Sequence, residues 1–112
     1  MDDQEGFAQK IRLAGKQIAN AEYLLAKAEA EEKKTVAQAK VTAEAHGDKT
    51  DAKQQRTADE NLSVFEARLA RGRAKGGLAA AKSNLLACET EFKVWQSQMA
   101  NLRFEKTRIY NT

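Results

Sequence analysis

Proline is missing from all 112 residues. With it goes the strongest covalent interruption of a helix, because the ring removes a backbone donor and clashes with the preceding turn. Very long helices are therefore permitted. Cysteine is nearly missing too: Cys88 stands alone and cannot close an internal disulfide, which fits a reducing compartment. Histidine occurs once, as His46, beside only Glu44 and Asp48. A metal site there would be improvised, and a solvated histidine at a helix end is the better reading. Aromatics are few, one Trp, two Tyr and four Phe, and much of the apolar content is alanine. A core of alanine and scattered leucine is thin, so self-association is the expected way to bury enough surface. No run approaches the roughly 18 apolar residues of a membrane span. The opening Met1-Asp2-Asp3-Gln4-Glu5 has no apolar segment of the signal-peptide kind. The expectation is a soluble, intracellular chain with no membrane partner.

Catalytic signatures are absent as well. There is no Walker loop, nucleophile elbow, dinucleotide fingerprint or zinc-ligand spacing. Gly47-Asp48-Lys49-Thr50-Asp51 opens like a calcium loop but lacks the later ligands and the closing glutamate. The chain is expected to be no enzyme and to need no metal or cofactor.

What is present is heptad spacing. Phe7, Ile11, Ala14, Ile18, Ala21, Leu25 and Ala28, then Glu32, Thr35, Ala39 and Thr42, follow steps of four and three. This seam is apolar to Ala28 and polar beyond it. Gly47 can supply a left-handed helix end, and Asp48 or Thr50 can cap the next helix. In the second half Ala58, Leu62, Phe65 and Leu69 form one apolar set. Leu78, Ala81, Leu85, Cys88, Phe92, Trp95, Met99 and Leu102, with Ile109 in register, form another, out of phase with the first.

The change of phase falls on Arg71-Gly72-Arg73-Ala74-Lys75-Gly76-Gly77, whose glycines cost the helix about 2–3 kcal/mol relative to alanine. Either the helix kinks at Gly72–Gly77, or those glycines admit another backbone. The expected fold is all-α, one domain spanning 1–112. Its helices run from about 5 to 46 and 51 to 110, separated by a break at 47–50, in an antiparallel hairpin with a coiled-coil-like oligomeric state.

Charge is uneven. Residues 1–46 carry seven Lys/Arg against eight Asp/Glu, and residues 47–112 carry twelve against eight. Between Arg68 and Lys82 there is no acidic residue. Arg68, Arg71, Lys75 and Lys82 fall within roughly 60° on a helical wheel, while Arg73 points away. Such a stripe can neutralise the phosphates of DNA or RNA, with salt-sensitive affinity; a plain solvated face is the bland alternative. Near the end of the chain Phe92, Trp95, Met99 and Leu102 form an apolar cluster, either core or an interface anchored by Trp95. Cys88, on the same seam, reads as a small buried core residue.

Leu85-Leu86-Ala87-Cys88-Glu89, followed by Phe92-Lys93-Val94-Trp95-Gln96-Ser97, resembles a type of small helical protein encoded in phage and prophage genomes. Tyr23-Leu24-Leu25-Ala26-Lys27-Ala28-Glu29 is similar to the first helix of those proteins. The resemblance implies a non-enzymatic accessory protein of the host cytoplasm, of a kind often sited among recombination and single-strand-handling genes. Gly72, Gly76 and Gly77 depart from that pattern. Three functions stand as expectations: a nucleic-acid-associated factor using the basic stripe, a protein that docks onto a host nuclease or defence complex, and a structural coiled coil or scaffold component.

Overall fold

The computed structural model describes residues 3–110, apart from the side chains of Ile109 and Tyr110. The expected seam position Ile109 thus lies outside the described side chains. The fold is all-helical: α1 (Asp3–Ala45), α2 (Asp51–Glu60) and α3 (Leu62–Tyr110), with no strand among the described residues. By contact the chain divides into two units, one of Met1–Ile18 with Ala80–Thr112 and the other of Ala19–Ala79.

Gly47 ends α1 as its sequence position suggested. Its φ of 104° is left-handed. Asp48 N–H donates to the Ala43 carbonyl at 3.0 Å and Gly47 N–H to that of Glu44 at 3.1 Å, the paired bonds of a Schellman end. Thr50 then caps α2, its side chain accepting from Lys53 N–H at 3.3 Å. Asp48 ties the connection to α2 rather than capping it: Thr57 Oγ1 donates to its carboxylate at 2.7 Å, and Gln54 Nε2 to its carbonyl at 3.0 Å.

The second helical segment is not one helix from 51 to 110. Asn61 leaves helical geometry, with ψ at 129°, and its side-chain oxygen accepts from Ser63 and Val64 N–H at 2.8 and 3.3 Å. Asn61 is therefore the N-cap of α3, which separates α2 from it. The interruption of the segment falls at Asn61, ahead of Gly72–Gly77, and α3 runs as one helix through all three glycines. A Cβ built on Gly72, Gly76 or Gly77 would meet nothing within 4 Å, so no other part of the described chain makes a close approach there.

In the 19–79 unit the α1 seam is covered as its spacing predicts, from Ala21, Leu25 and Ala28 through Glu32 and Thr35 to buried Ala39. Its last member is Ala43 rather than Thr42, which is exposed. Ala39 of α1, Ala58 of α2 and Val64 of α3 form the core cluster with Val36 against them, and Val64 is the largest fully buried side chain. The inner row of α3 here is Val64, Ala67, Arg71, Ala74 and Leu78, and only Arg71 of these is exposed. That row keeps the same four-three phase as Ala81, Leu85, Cys88, Phe92, Trp95 and Met99 in the other unit. The expected change of phase is thus absent. The larger residues Leu62, Phe65 and Leu69 lie outside the seam, and alanines lie on it.

In the other unit Phe7, Ile11 and Ile18 are partly covered and Ala14 is buried. Phe7 meets Phe92 and Trp95 at ring-centroid distances of 5.6 and 5.7 Å, and Phe92 stacks on Trp95 at 6.0 Å. Gln17 accepts from Asn84 Nδ2 at 3.3 Å.

The two caps carry measurable weight. Gly47→Ala forces a Cβ into left-handed backbone and is expected to cost about 1–2 kcal/mol. Asn61→Ala strips the cap from α3 and is expected to cost about 1 kcal/mol. Urea unfolding followed by helical circular dichroism measures both, and an unchanged midpoint for Asn61→Ala would show that α3 does not need its cap.

Candidate interaction surface

In the 19–79 unit the charged part of the surface is organised by one carboxylate. Glu32 occupies a seam position of α1, where its side chain is only 14 % exposed. A buried charge needs a counter-charge, and α3 supplies two. Arg71 Nη1 lies 3.0 Å from Glu32 Oε2, and Arg68 Nε lies 3.7 Å from Oε1. The Arg71 contact is an ion pair without hydrogen-bond alignment, because Oε2 accepts no hydrogen bond. Arg68 also reaches α2, donating from Nη2 to Asp59 Oδ1 at 2.8 Å. Gln55 Nε2 donates to the same oxygen, also at 2.8 Å. The hydrogen bond from Arg68, and then that from Gln55, hold the Asp59 carboxyl below its ordinary value of 3.8. Beside these groups lies an open groove of about 510 Å³, with Val36, Lys33 and Lys40 on its walls.

The basic stripe read from the sequence is therefore divided. Arg68 and Arg71 turn toward Glu32 and Asp59. Lys75 in the same unit and Lys82 in the other are exposed and have no ion pair among the described residues. Glu32 was visible as the first charged position in the α1 seam, and a charge on an inner face is itself a signal for a counter-ion. Asp59 gave no comparable signal, because its partner lies on another helix.

In the other unit Phe92 and Trp95 are partly covered by Phe7, and Met99 is half-buried. Leu102 is exposed at 50 %, and Phe104, which the spacing had set apart from this row, at 69 %. Lys10 Nζ lies 5.9 Å from the Phe7 ring centroid, within reach of a weak cation–π contact. The Trp95 indole N–H is buried without a hydrogen-bond partner. Cys88 is half-buried with a free thiol. His46 is exposed immediately after α1.

Among the described residues no group of three or more His, Cys, Asp or Glu could hold a metal ion, and no helix is long and apolar enough to cross a membrane. No family model, curated protein or solved structure matches this chain.

The carboxylate and ring contacts are both open to measurement. A carboxyl with a lowered folded pKa stabilises the fold above its unfolded value, and that contribution disappears as pH falls through the folded one. The protein is expected to lose stability below about pH 4, and Asp59→Asn to show a smaller difference between urea midpoints at neutral and acid pH. In the aromatic cluster, a Phe7→Ala, Trp95→Ala double-mutant cycle is expected to give a coupling of about 1 kcal/mol by thermal unfolding. Strict additivity would mean that the rings do not act on each other.

Proposed function

We propose that the chain is a non-catalytic helical binding protein that works through exposed helix faces, with a protein as its partner. The observation that carries this reading is in the 19–79 unit. Leu62, Phe65 and Leu69 stand 69, 58 and 41 % exposed on α3, while half of the candidate phosphate stripe is turned inward to carboxylates. Exposed large apolar side chains in a row favour another apolar surface. Cations already paired to carboxylates must give up that pairing before they can neutralise phosphate and displace its counterions.

The same reading takes α1 and α3 as an antiparallel hairpin with coiled-coil-like self-association. It is supported by the order of contacts in the terminal unit, where Phe7 meets Phe92 and Trp95 while Gln17 meets Asn84. The likeness of residues 85–97 to phage-type accessory proteins makes a host nuclease or defence complex a natural target. A structural scaffold remains the reading if self-association proves to be the only interaction.

Nucleic-acid binding is the second reading, favoured by the unpaired, exposed Lys75 and Lys82. Fluorescence anisotropy with labelled single- and double-stranded DNA, at low and moderate salt, separates the two. The expected result is no salt-sensitive affinity. Binding that weakens steeply with salt and disappears in Lys75→Glu, Lys82→Glu would transfer the function to nucleic acid.

A further inference from the structure

Within the 19–79 unit α3 carries a second heptad row, centred about 150° from its buried seam. The row is Leu62, Phe65, Leu69, Gly72, Gly76 and Ala79, and all six are exposed. Its order is three large residues followed by three small ones. Glycine weakens a helix interior relative to alanine, yet a Cβ at Gly72 or Gly76 would touch nothing in this chain. Neither glycine serves the isolated molecule. A surface that comes close from outside would use both.

A row that is large at one end and small at the other is complementary to its own reverse. We infer that α3 pairs with α3 of a second copy of this chain, antiparallel, about a two-fold axis between Leu69 and Gly72. This rests on the reading that exposed helix faces bind protein, and it names the occupant of one of them. In this register Leu62 seats over Ala79 of the second copy, Phe65 over Gly76, and Leu69 over Gly72. Two-fold symmetry repeats each contact. Each large side chain finds a small residue beneath it, and the glycines let the helix axes approach.

The charges agree with this register. Flanking the row, Glu66 falls opposite Arg73 of the second copy, twice over, and neither has an ion pair among the described residues of its own chain. The like-charge meeting is Arg68 with Lys75 of the second copy, also twice over, and Arg68 is already held by Asp59 at 2.8 Å. Parallel pairing fits worse. It sets Leu62 and Phe65 against their own equivalents, leaves glycine facing glycine across a gap, and brings Arg68 against Arg73.

The full chain carrying Cys88→Ala is the starting protein, with mass followed by light scattering across a wide concentration range. The expected mass rises to that of a dimer. Gly72→Gln with Gly76→Gln puts good helix formers in place of glycine, so these variants fold. They are expected to raise the thermal midpoint of dilute protein while weakening the dimer at least tenfold. A mixture of Phe65→Cys chains with Gly76→Cys chains is expected to form disulfide-linked dimers faster than either alone. A monomeric mass at every concentration overturns the pairing, as does an undiminished dimer in the glutamine variant. Faster cross-linking of Phe65→Cys with itself overturns the antiparallel register. Monomers that also ignore DNA would leave a different protein as the partner. A dimer that binds DNA with steep salt dependence would keep the pairing and remove the protein-binding function.

Discussion

A helix seam built largely from alanine buries little apolar surface per residue, and the rest of this structure depends on that constraint. Ala39, Ala58 and Val64 make the only core cluster seen among the described residues, with one valine as its largest fully buried side chain. So small a core stabilises weakly. The contributions that remain are local ones: a Schellman end at Gly47, hydroxyl and amide caps at Thr50 and Asn61, and a seam carboxylate that binds arginines from the facing helix. Each is worth on the order of 1 kcal/mol. In a protein with a thick core they would be refinements. Here they define where the helices begin, end and meet.

The same constraint explains which parts of the fold could be read in advance. The α1 row was legible from Phe7 to Ala39, since its large and small apolar residues share one phase. Gly47 was legible because no other residue near the polar break adopts left-handed backbone readily. Asn61 was not, because Asp51–Glu60 and the residues after it have continuous helix propensity, and one amide decides the break. The α3 seam was misread for a different reason. Its inner positions in the 19–79 unit are Ala67, Arg71 and Ala74, while Leu62, Phe65 and Leu69 lie outside. Ranking positions by hydrophobicity selects the wrong face whenever the inside is small. A wheel drawn for one helix also cannot show that Arg68 and Arg71 answer carboxylates on two others.

For the candidate surface, this changes which side chains are free to meet another molecule. Cations that formed one stripe on a wheel divide into those that complete the fold and those that face solvent. Phe92 and Trp95, at the far end of α3, belong to a ring cluster with Phe7. Among the large apolar residues left in the open, Leu62, Phe65 and Leu69 are those nearest the Asn61 cap, where α3 begins and its backbone is held in place.

The two units also differ in how far along the chain their contacts reach. In the 19–79 unit Arg68 reaches nine residues to Asp59 and Arg71 thirty-nine to Glu32, whereas Asn84 and Gln17 are separated by sixty-seven. Contacts close in sequence form early, and those that close long loops form late. As the chain emerges from the ribosome, the segment 19–79 can therefore organise while the C-terminal third is still unmade. The first turns of α1 must wait, with Phe7, Ile11 and Ile18 uncovered until residues 80 onward arrive. During that interval these side chains present the kind of apolar helical stretch that chaperones hold, and removal of residues 80 onward would prolong that state indefinitely.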